Sequence, residues 1–288
     1  MASIYQVRSS PRSRLRAAVL VAAACAAAAA GRAASADPFL SVDVNSDQPT
    51  SGTYSPTLPG FTALNVHNRA TTDPALMSAT GTFPVSDPSA PSNSITVTFT
   101  SSSSSLNLGS RSRTAANQQP VNGGAFTYAD LYRDLVFNNG GNSTASADSS
   151  PLNIALSGLS AGTQYDVRLY VWDPAQGGSS TVRITNTTGG TQPAPTSGTI
   201  FYQQGNGAAA TPATNDTYSL VLRGTATGTG PTDGALTFTD VAVAGSSQTL
   251  PVFNGLTISS VPEPAGAGLL AVATAGLLAR RRRRRHGK

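Results

Sequence analysis

Apolar and polar residues alternate along several short segments in the middle of the chain. The segment SITVTFT places Ile95, Val97 and Phe99 on one side and three threonines on the other. The segments LNIALSGL, QYDVRLYVWD, TYSLVLRG and GALTFTDVAV alternate in the same way, and VRITN and TIFYQQ are shorter candidates. A period of two with β-branched and aromatic residues, bounded by Gly, Pro, Asn and Ser, is typical of β-strands. Because the second face is polar, the pattern predicts antiparallel sheets with one side in water.

One segment has the spacing of a helix instead. In TYADLYRDLVFNNGG, apolar residues recur at intervals of three and four positions, at Tyr128, Leu131, Tyr132, Leu135 and Val136. We expect a single short helix from about Ala129 to Val136. Thr127 is the expected cap at its start, and Gly140 or Gly141 the expected cap at its end. Residues 37–260 are therefore predicted to form one all-β domain, an antiparallel β-sandwich with one short helix.

The first 36 residues have the features of a secretory signal peptide. Four arginines and no acidic residue precede the apolar run AAVLVAAACAAAAA, and Ala34 and Ala36 supply small side chains at a cleavage site. The alternative, an N-terminal helix of the fold, would have no polar face. We expect signal peptidase to cleave after Ala36 and to remove Cys25 with the signal helix. The mature chain then contains no cysteine and can form no disulfide.

The C-terminal end, residues 261–288, reads VPEPAGAGLLAVATAGLLARRRRRRHGK. Its uncharged part, about residues 265–279, would rise about 22 Å as a helix, which makes a marginal transmembrane span. The arginines from 280 to 285 are too costly to carry across a bilayer, so residues 280–288 should stay cytoplasmic. The alternative is a disordered basic tail that binds nucleic acid, although such tails are not usually preceded by a clean apolar segment.

The order of elements at this end resembles the PEP-CTERM sorting signal. Pro262, Glu263 and Pro264 come first, the apolar segment follows, and the arginine cluster closes the chain, beginning at Arg280, Arg281 and Arg282. The resemblance implies processing by an exosortase, a membrane transpeptidase-like protease. It also implies that the membrane helix is transient, and that the body reaches the cell surface or extracellular matrix of a Gram-negative-type bacterium.

The body between the two ends is acidic, although the whole chain carries a net charge of +5. Residues 37–260 contain seven arginines, thirteen aspartates, no lysine and no glutamate, so their net charge is −6 with histidine neutral. An acidic body is poorly suited to bind nucleic acid or anionic lipid. Its single histidine, His67, favours a protein that is not an enzyme. An Asp-based hydrolase, for which Asp130 and Asp134 would share a helix face, is a weaker alternative.

Two groups of residues are candidate binding sites. Alternation in QYDVRLYVWD places Tyr170 and Trp172 opposite Val167 and Leu169, so an exposed aromatic platform beside Asp173 could stack on a sugar. The alternative is that the single tryptophan packs in a second core layer.

The second group lies in DVNSD, where Asp43, Asn45 and Asp47 offer oxygen ligands of the kind that Ca²⁺ takes. Gln48 and Tyr54 stand where an EF-hand needs Gly and Glu, so this is not an EF-hand. A structural Ca²⁺ is the one cofactor that the sequence leaves open.

Two further resemblances concern the body. The unit around Gly158, Leu159, Gly162 and Tyr165 is similar to a strand–turn–strand unit of extracellular β-sandwiches such as fibronectin type III domains. The closing run GALTFTDVAVAGSSQTLPVFNGLTIS is similar to galactose-binding-like jelly rolls of secreted bacterial proteins. That resemblance implies a carbohydrate-binding or adhesive role. We therefore expect a structural or adhesive exported protein without catalysis, and a carbohydrate-binding module that engages exopolysaccharide is the alternative.

Overall fold

A computed structural model of the chain describes residues 37–47, 53–67, 78–85, 93–101, 108–114, 119–138, 152–174, 178–186, 197–204, 211–242 and 252–261. Within these ranges the chain forms fourteen strands and one short helix. In chain order they are β1 Leu40–Ser46, β2 Thr62–Val66, β3 Ser78–Pro84, β4 Ser94–Ser101, β5 Leu108–Ser112, α1 Ala129–Arg133, β6 Asp134–Asn138, β7 Leu152–Leu159, β8 Gln164–Tyr170, β9 Gly178–Asn186, β10 Ser197–Gln204, β11 Ser219–Thr225, β12 Gly234–Ala242, β13 Val252–Phe253 and β14 Gly255–Ser260. The seven strands predicted from alternation are confirmed as β4 and β7 to β12.

The strands form three sheets. A five-stranded sheet has the order β11-β8-β14-β1-β2, a six-stranded sheet has the order β10-β9-β12-β7-β4-β3, and a three-stranded sheet has the order β13-β6-β5. The strand pairs are antiparallel as predicted, except that β1 and β2 pair in parallel. Parallel neighbours need a crossover connection. Residues 47–61 connect these two strands, and of them 47 and 53–61 are described.

The buried apolar residues of the sheets form one contiguous core. Ile95, Val97 and Phe99 on β4 are fully buried, whereas the threonines on the opposite face of the same strand are partly exposed. Two of those threonines pair with threonines of β3 across the wet face, at oxygen–oxygen distances of 3.0 and 3.1 Å. At β4 the six-stranded sheet therefore has one dry and one wet side, as the alternation predicts.

The predicted helix is too long. The helix ends at Arg133, and the next residues form β6, which pairs with β5 and β13. Both Leu135 and Val136 are buried in this strand, so their apolar character is explained by burial in a sheet and not by a helix face. The predicted cap at Thr127 is also wrong. The N–H of Ala129 donates to Asn122 Oδ1 at 2.9 Å, and the N–H of Thr127 donates to Asn215 Oδ1. Gly140 and Gly141 lie outside the described residues.

The two ends of the chain lie outside the described residues, and several of the predictions fall on them. These are signal cleavage at Ala34 and Ala36, the sorting residues Pro262, Glu263 and Pro264, and the arginines Arg280, Arg281 and Arg282. Ala36–Ser260 form one compact unit. In the part of the chain that the structure describes, no helix has the length and apolar character needed to span a membrane.

Candidate functional site

One end of the outer face of the five-stranded sheet is covered by other elements. In the register of the sheet, Ser219, Tyr170, Gly255 and Asp43 form one row across β11, β8, β14 and β1. Gly255 leaves room for the helix, since a Cβ there would lie only 2.7 Å from Leu131 Cδ1 of α1. The missing side chain therefore lets α1 lie directly on the sheet.

Seven aromatic rings are in contact at this row and form what we call the aromatic cluster: Phe61, Phe126, Tyr128, Tyr132, Tyr170, Trp172 and Tyr218. Tyr132 of α1 lies at its centre, with edge-to-face contacts to Tyr170 at 5.9 Å and to Trp172 at 5.6 Å between ring centroids. The Trp172 ring stacks on Tyr218 at 4.7 Å, with 16° between the ring planes. Offset and edge-to-face pairs of this kind are the favoured arrangements of aromatic rings.

The expectation of an exposed platform at Tyr170 and Trp172 is wrong. Their exposed fractions are 3% and 1%, and that of Asp173 is 2%. Alternation correctly placed Tyr170 on the outer side of β8, but the other rings of the aromatic cluster pack against that side. Trp172 packs in a second core layer, which was the alternative. The Asp173 carboxylate accepts two hydrogen bonds from buried Arg113, at 2.8 and 2.5 Å.

Two tyrosines of the aromatic cluster, Tyr128 and Tyr218, are only half-buried. Tyr128 makes an edge-to-face contact with Tyr170 at 5.9 Å. Tyr218 stands beside the end of β8, where its carbonyl oxygen accepts the N–H of Val171 at 2.9 Å. Burial raises the pKa of the Tyr218 hydroxyl, so this group is neutral at physiological pH. Both rings therefore combine an accessible surface with a buried support.

The turn before Tyr218 is tied to the region around α1. The side chain of Asn215 accepts the N–H of Thr127 at 2.7 Å, and its backbone carbonyl accepts the hydroxyl of Tyr132 at 3.0 Å. Within the turn, the N–H of Thr214 donates a hydrogen bond to Thr217 Oγ1 at 2.9 Å. These contacts hold the turn in place without a ligand.

A charged pair lies close to Tyr218, since Asp216 is two residues before it and Arg168 is on the same strand, β8, as Tyr170. Arg168 Nη1 is 2.9 Å from Asp216 Oδ1 and donates to Ser219 Oγ, also at 2.9 Å. The side chains of Arg168 and Asp216 are 32% and 58% exposed, so both can reach a ligand. We call Tyr128, Arg168, Asp216 and Tyr218 the outer-face patch.

A second arginine on the same face, Arg223, makes a two-point pair with a buried carboxylate. Arg223 Nε and Nη2 each bond one oxygen of Asp166 at 2.7 Å. This two-point pairing raises the pKa of the Arg223 guanidinium. Its charge is compensated by a carboxylate in the ideal fork geometry.

The three predicted calcium ligands, Asp43, Asn45 and Asp47, each make a hydrogen bond or ion pair within the protein. Asp43 Oδ2 accepts the N–H of Leu58 at 2.7 Å, the Asn45 amide donates to Ser55 O at 2.9 Å, and Asp47 pairs with His67. Among the residues that the structure describes, no group of three or more Asp, Glu, His or Cys is placed to hold a metal ion. The calcium site at Asp43, Asn45 and Asp47 stays a prediction without structural support.

The two aspartates of the hydrolase alternative do not share a helix face. Asp130 is on α1 and its side chain is 38% exposed, whereas Asp134 begins β6 and is fully buried. Arg133 lies between them, 3.0 Å from Asp130 Oδ1 and 3.8 Å from Asp134 Oδ2. Burial raises the pKa of Asp134 to about 6 and that of Asp43 to about 8. The expected shared face is therefore wrong.

Sequence reasoning missed all four residues of the outer-face patch as candidates, and for Asp216 and Tyr218 the sequence held a signal. The signal was a tyrosine and an aspartate directly before an alternating strand, in DTYSLVLRG. Nothing local to that segment shows that Arg168 and Trp172 would lie beside it.

No family model matches this sequence, and no curated protein matches it. Among solved structures, the chain is similar to the extracellular domain of ANXUR1 from Arabidopsis thaliana, with 15% identity over 51% of this chain and 38% of that one and a TM-score of 0.31. It is also similar to TmCBM61 in complex with beta-1,4-galactotriose, with 10% identity over 56% of this chain and 86% of that one and a TM-score of 0.26. A third structure is the K2 cleaved adhesin domain of Lys-gingipain, with 15% identity, coverage of 65% and 98%, and a TM-score of 0.25. Similarities at this level support no conclusion about activity or ligand.

Proposed function

We propose that this protein is an exported, non-catalytic β-sandwich protein that binds carbohydrate through the outer-face patch. The observation that carries the proposal is that half-buried Tyr218 follows the exposed Arg168–Asp216 pair, while half-buried Tyr128 packs on Tyr170 of the same strand as Arg168. Sugars combine apolar C–H faces with hydroxyl groups, so they need a ring surface and nearby hydrogen-bonding groups. Aromatic side chains with a small number of placed polar groups are the usual lining of such sites.

The support beneath the rings favours binding. Tyr218 rests on Trp172, and Tyr128 contacts Tyr170, so neither ring has to be ordered when a ligand arrives. The tie between Asn215 and Thr127 holds the turn in the same way. A preformed site loses less conformational entropy on binding than a flexible one.

Affinity measurements on a panel of soluble polysaccharides test this proposal. We expect Tyr218→Ala and Tyr128→Ala each to weaken binding about tenfold, because a well-placed aromatic contact contributes about 0.5–1.5 kcal/mol. Tyr218→Phe keeps the ring and should retain most of the affinity. Thermal unfolding of each variant checks that the fold is intact.

Tyr54 supplies a matched control for the Tyr218→Ala variant. It is 37% exposed, and its neighbour Ser55 is bonded to the end of β1. That strand is three strand spacings, about 14 Å, from β11. Tyr54→Ala should leave affinity unchanged. An equal loss in this variant, or no binding to any polysaccharide by the unaltered protein, would contradict the proposal. Release of reducing sugar from a bound polymer would contradict the absence of catalysis.

The location is part of the same proposal. The order of Pro262, Glu263, Pro264, an apolar segment and the arginine cluster supports export followed by processing by an exosortase. Mass spectrometry of the intact protein from its native host tests this. We expect a chain that begins at Asp37 and ends near residues 262–264. A mature protein that still carries the arginines would contradict sorting by tail removal.

A further inference from the structure

The Arg168–Asp216 pair has hydrogen-bonding capacity that the protein leaves unused. Arg168 engages Asp216 and Ser219 through Nη1 alone. Arg168 Nε and Nη2 and Asp216 Oδ2 are not used in these contacts. An arginine has five N–H donors and a carboxylate has about four acceptor positions. The pair therefore presents donors and an acceptor side by side close to Tyr218.

The surrounding charges are balanced. The charge of Arg168 is matched by Asp216, and that of Arg223 on the neighbouring strand is matched by Asp166. The body of the protein, residues 37–260, carries a net charge of −6. A carboxylated sugar would meet Asp216 and this negative body without an uncompensated cation to attract it.

We infer that the outer-face patch selects a neutral saccharide with two adjacent free hydroxyls, held by the Arg168–Asp216 pair. This inference rests on the proposed function. One hydroxyl accepts a hydrogen bond from Arg168, and its neighbour donates one to Asp216. Each contact involves a charged group and is stronger than a bond between neutral groups. The C–H face of the same sugar lies against Tyr218 or Tyr128.

The test compares each neutral polymer with its own acidic form. The probes are a galactan, a glucan and a mannan, each used as such and after oxidation of its primary hydroxyls to carboxylates. We expect at least one neutral polymer to bind at least tenfold more tightly than its oxidised form. Its affinity should change little between 50 and 500 mM salt, because no net charge is neutralised on binding. Tighter binding of the oxidised form, or affinity that falls steeply with salt, would overturn the inference.

Variants identify the residues. Arg168→Gln and Asp216→Asn should each weaken binding of the neutral polymer about tenfold, as expected for a lost hydrogen bond to a charged group. Arg223→Gln is the matched control and should leave affinity unchanged. Its Nε and Nη2 already donate hydrogen bonds to Asp166. Asp216→Asn removes an exposed charge without changing shape, so it keeps the test valid if Arg168→Gln unfolds the protein.

The outcomes separate this inference from the proposed function. If no polymer binds, the proposed function fails and this inference fails with it. If neutral polymers bind through Tyr128 and Tyr218 but Arg168→Gln and Asp216→Asn are indifferent, the proposed function stands and this inference is wrong.

Discussion

Asn254 is the residue whose replacement should reveal most about how the sheets are joined. It is fully buried between β13 and β14. Its side-chain oxygen accepts the N–H of Trp172 at 2.6 Å, and its side-chain nitrogen donates to the carbonyl oxygen of Asp134 at 2.7 Å. One side chain thus connects the end of the five-stranded sheet, the start of β6 and the support beneath the aromatic cluster.

The size of the effect follows from these two bonds. Asn254→Ala leaves the N–H of Trp172 and the carbonyl of Asp134 buried and unpaired. Each unpaired buried backbone group costs about 1–3 kcal/mol, so the unfolding free energy should fall by about 4 kcal/mol. For a domain of about 220 residues this corresponds to a fall in Tm of about 10 °C.

Chemical denaturation monitored by tryptophan fluorescence measures this change, since Trp172 is the single tryptophan of the chain. The matched control is Asn65→Ala on β2, where the asparagine is exposed and the change should stay within about 0.5 kcal/mol. Asn254→Asp keeps the acceptor for Trp172 but loses the donor to Asp134, so it should also destabilise the fold. A loss below about 1 kcal/mol for Asn254→Ala, with an unchanged m-value, would refute the reasoning.

Two further predictions concern the same face. Burial raises the pKa of Asp43 to about 8, so its contribution to stability is complete below about pH 4 and is lost as pH rises through 8. Half of this pKa shift corresponds to a fall of about 3 kcal/mol in the unfolding free energy between pH 4 and pH 8. Asp43→Asn should flatten this fall, and an unchanged slope of unfolding free energy against pH would contradict the assignment to Asp43. Gly255→Ala places a methyl group against the Val42 carbonyl and Leu131, so thermal unfolding should show a loss of about 2 kcal/mol. Gly230→Ala is the control, since its nearest contact there, Asp233 at 3.4 Å, is an ordinary one.

The sequence by itself determined the class of fold and the position of its main strands. Ile95, Val97 and Phe99 alternate with threonines, and this alternation matches burial on one face of β4. Such a pattern is local, because successive side chains of a strand point to opposite faces whatever the strand pairs with. The absence of cysteine, lysine and glutamate from the body also follows from the sequence alone, and so does its negative charge.

The segment from 129 to 138 shows where local pattern fails. Its apolar residues satisfy a helical period, yet the chain changes from helix to strand after Arg133. The hydrogen bonds that β5 and β13 offer to β6 decide the outcome. These partners are distant in the sequence, so no window around Leu135 contains the information.

The candidate site was decided by tertiary structure in the same way. Alternation correctly assigned Tyr170 to the outer side of β8, but an outer side is exposed only where nothing packs on it. The absent side chain of Gly255 lets α1 lie on the sheet, and the ring of Tyr132 on α1 then packs against Tyr170 and Trp172. The accessible aromatic rings are therefore those of Tyr218 and Tyr128 and not those of Tyr170 and Trp172. Local periodicity states which residues share a face, whereas contacts between segments far apart in the chain decide whether that face meets water.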